Sequence, residues 1–252
     1  MNWNKVSNMI KKLHNLYKIP FYIGGVISWF VFGRYNRRRV RGNINVLLYH
    51  FQIAKFIKQT YGERTKKIRL VRQVSMNRMT CIVNDRYYVK IFRDVNVSQL
   101  NNFKFLLDFV QPHLSVLIPK IFVAQNIPMY VADKLPGKVL RDFDKKLIMK
   151  NETKIKKQII KMIDDMQNIS VKKIPEPERF LSGLQEKQNH KNIKIDDSCV
   201  LAHQDLNASN FLLDDKLNLV SVVDWDSLSI VPNRNIDRQG FEKLWTIYKN
   251  SN

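Results

Sequence analysis

The stretch VLAHQDLNASNFLLDDKLNLVSVVDWDS, Val200 to Ser227, decides the reading of this chain. It begins as an apolar strand end and passes through a tight polar loop. A strand, a turn and a second strand follow, and the stretch closes on acids. Asp205 and Asn210 fall on the loop. Asp224 ends the apolar run Leu219-Val220-Ser221-Val222-Val223, the pattern of a buried strand. Two loop residues and one strand-end carboxylate can then converge on one point. Hard oxygen ligands with a spare carboxylate at a strand mouth suit magnesium and a phosphate.

The arrangement resembles the catalytic segment of the protein-kinase-like phosphotransferases, in the branch of the aminoglycoside phosphotransferases and choline kinases. That branch writes H-x-D-x-x-x-x-N followed by D-W-D/E. Here the letters are His203-Gln-Asp205-Leu-Asn-Ala-Ser-Asn210 and Asp224-Trp225-Asp226. The resemblance implies that Asp205 is the base receiving the acceptor hydroxyl proton. It makes Asn210 and Asp224 the magnesium ligands and ATP the donor. His203 is expected to brace the loop and Trp225 to pack. A polar hairpin whose Asp and Asn only cap turns is the plain alternative, and the combined spacing argues against it.

The formal net charge is +21, from 43 Lys and Arg against 22 Asp and Glu. It is uneven. Residues 1–72 hold 16 basic residues and one acid, Glu63, for +15, and the remainder contributes +6. The N-terminal part is a basic attachment on a near-ordinary body. Such a segment suits anionic partners or a solvated basic face. Cys81 and Cys199 show no metal or disulfide spacing, so a reducing, cytoplasmic setting is expected, with peripheral membrane contact as an extension.

Residues 2–18 carry apolar positions at three- and four-residue steps, an amphipathic helix pattern. Residues 19–33 are uncharged, broken by Gly24-Gly25, and followed by Arg34, Arg37, Arg38, Arg39 and Arg41. Three readings stay open for them. Packing against the domain comes first. A helix at an anionic interface through Trp29 and Phe30 is second, and a membrane span is third, because the run is short. Residues 43–61 predict another amphipathic helix, with Val46, Leu47, Phe51, Ala54, Ile57 and Tyr61 on its apolar side and Gly62 as its stop.

From Lys67 onward the period changes to alternation. Residues 68–74, 80–83 and 87–92 read as strands, with Asn84-Asp85 as a turn. The resemblance places a phosphate loop between the first two. Ser75 and Asn77 are its candidates, although its usual glycines are missing. It makes Lys90, in Val89-Lys90-Ile91-Phe92, the phosphate-clamping lysine. Its usual Glu partner is absent from the helix expected over 97–110. Residues 130–137 resemble the inter-lobe linker, where backbone groups at Asp133 and Leu135 would meet the adenine edge. Pro136-Gly137 reads equally well as the turn that ends a strand.

Residues 151–169 predict a helix buried along Ile155, Ile159, Met162, Ile163, Met166 and Ile169. Residues 170–198 read as a loop with a short helix, and 238–248 as a last helix. The expected fold is therefore α+β and two-lobed. A basic helical segment spans 1–66, a small antiparallel lobe 67–135, and a shortened helical lobe 136–252 carries the catalytic hairpin. The expected activity is transfer of the ATP γ-phosphate to a hydroxyl of a small molecule, a sugar or an envelope glycoconjugate. A polycationic aminoglycoside suits so basic a chain poorly. An anionic membrane surface is the candidate partner of residues 1–42. Nucleic acid is not expected, since no recognised module accompanies the arginines. A catalytically weak scaffold is the reading from another class.

Overall fold

The computed structural model describes residues 37–75, 78–181 and 194–251, with side chains described from Tyr49 onward except at positions 72–75. The expectations for residues 2–18 and 19–33 lie outside the described residues. The chain forms two compact units. One takes the described residues up to Asn101 together with Ile121–Lys134; the other takes Asn102–Lys120 together with Leu135 onward.

The first unit is a sheet with one long helix against it. The helix α1 runs Arg37–Tyr61. It is already helical at Arg37, six residues before the expected position 43, and it ends where Gly62, at φ +70, donates its N–H to Lys58 O at 2.9 Å. That left-handed residue is the stop that a glycine supplies without steric cost. The strands are β1 (Ile68–Ser75), β2 (Arg78–Val83), β3 (Tyr87–Phe92), β4 (Ile121–Val123) and β5 (Met129–Asp133), in the spatial order β1-β2-β3-β5-β4, all antiparallel. Alternation selects the faces. Met79, Cys81, Tyr87, Val89, Ile91, Met129 and Val131 are buried with Tyr49, Ile53, Phe56 and Ile57 of α1 in one core. Burial of these apolar side chains, at about 25 cal/mol per Å², is the main attraction between helix and sheet. Burial also pushes the Cys81 thiol up to about 12, so it stays protonated and inert.

The apolar stripe of α1 matches the expected one at Ile57 and Tyr61, which pack in the core, and departs from it at Phe51. Phe51 was placed on the buried side by its spacing, yet it is 76% exposed. Its helix carries two candidate stripes, and the one through Tyr49, Ile53 and Phe56 is the one that faces the sheet. The end of α1 is fastened further by Tyr61, which stacks on Tyr87 with ring centroids 4.1 Å apart, and by the Glu63–Arg86 ion pair at 2.8 Å.

The helix α2 (Val97–Val110) has the expected bounds and is followed by a single turn of 3-10 helix at Gln111–His113. In the second unit, α3 (Lys145–Lys150) and α4 (Glu152–Gln167) follow the short strand β6 (Lys138–Val139). Only α4 was foreseen, and its buried stripe matches: Ile155, Ile159, Met162, Ile163 and Met166 are all at 0% exposure. Further on come β7 (Val200–Ala202), β8 (Phe211–Leu213), β9 (Leu219–Val222), β10 (Ser229–Val231) and α5 (Ile236–Asn250). β6, β8 and β9 make one small sheet and β7 with β10 another. The strand β10 was not foreseen. It pairs antiparallel with β7, the strand that leads into the loop carrying Asp205 and Asn210. Among the described residues no helix is long and apolar enough to cross a membrane.

Candidate active site

The loop between β7 and β8 is built from its own side chains. Gln204 takes a left-handed conformation, φ 61, which reverses the chain immediately after β7. Asp205 O then accepts three N–H groups: Asn207 N at 3.0 Å, Asn207 Nδ2 at 3.3 Å and Asn210 Nδ2 at 2.7 Å. Asn207 Oδ1 in turn accepts Ser209 N–H at 2.9 Å, an Asx turn of the kind that makes Asn common in tight loops. Asn210 is 95% buried and bonded at both ends of its backbone, accepting Val223 N–H at 2.9 Å and donating to Asn207 O at 2.9 Å. Its amide NH2 is committed to Asp205 O, which leaves Oδ1 as the end a hard cation takes. Asp224, at φ 62 and ψ 51, ends the β9 run in a left-handed turn.

His203 ties the two acids' segments together. Its ring is fully buried. Nδ1 accepts the Asp205 N–H at 3.3 Å, and Nε2 lies 3.3 Å from Val223 O, the residue before Asp224. Those two bonds place the proton on Nε2, because a carbonyl only accepts. Burial holds the imidazole below its ordinary 6.5, although the charges of Asp237, Asp205 and Asp224 pull the other way. A neutral imidazole is what this bonding needs, since an imidazolium could not accept the Asp205 N–H. His203 is thus a brace, as the sequence suggested. The Trp225 ring sits 4.5 Å from it, centroid to centroid, and Trp225 donates its indole N–H to Val222 O at 2.9 Å. Asp226 is fully buried in the same turn.

Sequence reasoning missed Asp237. Its side chain, 1% exposed, accepts His203 N–H on Oδ2 and Gln204 N–H on Oδ1, both at 2.7 Å. These are charge-assisted bonds to the two backbone donors that precede Asp205. The only signal in the sequence was an acid just ahead of the helix expected over 238–248, where it ordinarily reads as a cap or a complement to the helix dipole. Two other contacts also escaped it. Arg141 Nη1 donates to Ser209 Oγ at 2.9 Å, and Arg141 N to Ala208 O at 3.3 Å, so a cation stands on the β7–β8 loop next to Asn210. Gly137, at φ +103, lies where a Cβ would meet Val220 Cγ2 at 2.8 Å and Leu212 Cβ at 2.9 Å. The Pro136-Gly137 turn is therefore seated directly on the β8–β9 pair, with Ser221 Oγ donating to Pro136 O at 3.0 Å.

The remaining expected residues belong to the first unit or its border. Lys90 lies on β3 between Thr80 and Tyr130 and is half-buried on the sheet face opposite α1, with Nζ 5.9 Å from the centre of the Tyr130 ring. Ser75 is the last residue of β1 and pairs with Arg78; the expected phosphate loop is a two-residue connection, and Asn77 lies outside the described residues. Asp133 ends β5 opposite Tyr87, the next residue, Lys134, donates its N–H to Arg86 O at 2.8 Å, and Leu135 is half-buried. Among the described residues, no group of three or more His, Cys, Asp and Glu is placed to hold a metal. Asn210 and Asp224 form a different donor set, an amide oxygen and a carboxylate. That set fits magnesium, which takes one or two protein oxygens and completes its octahedron with water and substrate phosphates.

Comparison with protein-family models finds no match, and comparison with curated proteins finds none. Solved structures do match. A GDP and kanamycin complex of APH(2")-IIia superposes with a TM-score of 0.55 at 13% identity, over 81% of this chain and 83% of that one. A streptomycin-ATP-APH(2")-IIa ternary complex gives a TM-score of 0.53 at 12% identity, over 79% and 82% of the two chains. The macrolide 2'-phosphotransferase MphH from Brachybacterium faecium, without ligand, gives 0.50 at 14% identity, over 78% and 81%. At such identities the likeness is one of fold. The chain has the two-part, protein-kinase-like α+β fold of the aminoglycoside phosphotransferases.

Proposed function

We propose that this protein is a magnesium-dependent phosphotransferase that moves the γ-phosphate of ATP to an alcohol. The observation that carries this reading is the bonding around His203. One buried, neutral imidazole is bonded to the N–H of Asp205 and the carbonyl before Asp224, while the Asn210 amide is bonded to the Asp205 carbonyl. A turn-capping hairpin has no use for such a brace between two acids.

In the reaction the Asp205 carboxylate accepts the proton of the acceptor hydroxyl. The acceptor oxygen bonds to the γ-phosphorus, the bond from that phosphorus to the β–γ bridging oxygen breaks, and ADP leaves. Magnesium, held through Asn210 and Asp224, would neutralise charge on the phosphates. Lys90 is assigned to the phosphates, and the backbone at Asp133 and Leu135 to the adenine edge. Ser75 and Asn77 are assigned to the phosphate loop. The neighbours crystallised with ATP or GDP and with antibiotics support a nucleotide donor and a small hydroxylated acceptor.

The acceptor is assigned to sugars or polyols, including those of anionic envelope glycoconjugates. The charge of +21 opposes a polycationic antibiotic. Residues 1–42 are assigned to an anionic membrane surface, with the protein otherwise cytoplasmic. Nucleic acid remains the less favoured polyanion. The missing glycines between Ser75 and Arg78 favour one competing reading, a catalytically weak scaffold.

Calorimetric titration of ATP decides between them. Binding should require magnesium and should weaken sharply in Asp224→Asn. Equal affinity with magnesium and with chelator would discard the metal assignment and favour the scaffold.

A further inference from the structure

The most exposed large apolar side chain among the described residues is Phe51, at 76%. It stands in the middle of α1, on the side away from the core made by Tyr49, Ile53, Phe56 and Ile57. Its neighbours on that side are basic. Lys55 and Lys58, one and two turns on, are both exposed, and helical spacing aligns them with Phe51 within a narrow strip. The 25 residues of α1 contain no acid at all. At the level of sequence, the same spacing run backwards from Phe51 meets Leu48, Ile44, Arg41 and Arg37. Among the described side chains, the strip is one apolar centre, Phe51, followed by two cations, Lys55 and Lys58.

We infer that the outward strip of α1, centred on Phe51, is a docking surface for an anionic lipid bilayer. An exposed aromatic on a helix is ordinarily either a partner-protein anchor or an interfacial anchor. Charge decides between them here. A protein-binding hot spot favours an apolar centre with a mixed polar rim, whereas a helix with cations and no acid around one apolar centre fits the boundary between headgroups and acyl chains. From Phe51 to Lys58 the helix rises roughly 10 Å, at about 1.5 Å per residue, enough for more than one headgroup contact at once. Its inward side is already occupied by the sheet, so docking needs no refolding. The surface extends beyond the membrane assignment made above for residues 1–42. It rests on that reading only for the choice of lipid among polyanions, and it is independent of phosphotransfer.

The test is sedimentation of the full-length protein with vesicles of phosphatidylcholine alone and of phosphatidylcholine mixed with phosphatidylglycerol. The variants are Phe51→Ser, Lys55→Glu with Lys58→Glu, and, as a charge-matched control in the other unit, Lys146→Glu with Lys157→Glu; all four lysines are exposed. Wild type should partition onto the anionic vesicles and not onto the neutral ones. A basic residue near an anionic surface contributes about fivefold in partitioning, so reversing two should weaken it by at least roughly 25-fold. Phe51→Ser should weaken it several-fold at unchanged charge. The control should stay within about threefold, and thermal unfolding should be unaltered in every variant. If the α1 pair binds like wild type, or the control loses as much as the α1 pair, the strip is not the docking surface. Equal loss of binding to duplex DNA, with no preference for lipid, would overturn the proposal in favour of a general polyanion site. Nucleotide titration of the same variants should be unchanged; failure of nucleotide binding in wild type would remove the phosphotransfer reading and leave this one standing.

Discussion

Replacing Asp237 by Asn should cost more than any other single-atom change near the catalytic loop. The two carboxylate oxygens accept the His203 and Gln204 N–H groups at 2.7 Å each, in a site where the side chain is 1% exposed. An amide offers one acceptor oxygen. Its NH2 would face the other backbone N–H, donor against donor. One bond to a charged acceptor, about 1.5–3 kcal/mol, is lost, and a buried N–H is left unpaired at about 1–3 kcal/mol. The sum is about 2.5–6 kcal/mol, which for a chain of this size lowers the unfolding midpoint by roughly 5–20 °C. The loss also reaches the chemistry. His203 and Gln204 precede Asp205, and the His203 ring positions the Asp205 N–H, so a loosened segment should lower turnover more than it raises the KM for ATP. Differential scanning fluorimetry and a coupled ADP-release assay measure both. A variant that melts within about a degree of wild type and turns over at its rate would refute the claim that Asp237 holds the loop.

Asp205→Ala should abolish phosphotransfer while nucleotide affinity by calorimetry stays near wild type; turnover retained with any acceptor would dismiss the base assignment. Gly137→Ala should destabilise the protein by about 2–5 kcal/mol in urea titration, because a left-handed φ costs about 1–2 kcal/mol and the new Cβ would press on Val220 and Leu212 within 3 Å. Unchanged stability would mean that the Pro136-Gly137 turn is not seated on β8 and β9. His203 is held below 6.5 in the fold by burial, so at pH values under 6.5 the unfolded chain binds a proton that the folded one does not. Stability should therefore decline as pH falls below about 6.5, and His203→Gln should remove that share of the slope; identical slopes would show that the ring titrates freely.

Much of this was legible along the chain. The helix α2 over Val97–Val110 and the strand β3 over Tyr87–Phe92 appear at their expected bounds, because helical and alternating periods are local properties. The α4 stripe from Ile155 to Met166 was readable for the same reason. The hairpin from Val200 to Asp224 could be read because its loop is stabilised by its own Asn and Asp side chains within a few residues. Short elements did worse. The three-residue strand β10 and the six-residue helix α3 have too few positions for any period to emerge.

Residue types and local spacing alone determined which groups are available for chemistry: Asp205, Asn210 and Asp224 on one hairpin, Lys90 on a strand, and a basic N-terminal third. Tertiary structure decided what those groups are bonded to. Whether Phe51 or Ile53 faces the sheet depends on which stripe of α1 finds apolar partners in Met79 and Val89, and both stripes satisfy the helical period. Asp237 is separated from Gln204 by 33 positions, and nothing in the intervening pattern marks it as the acceptor for that loop. Gly137 had to be glycine because Val220 and Leu212 arrive there from far along the chain. Periodicity reports the environment averaged over a turn or a strand, whereas a hydrogen-bond partner or a steric limit is set by one atom brought in from elsewhere.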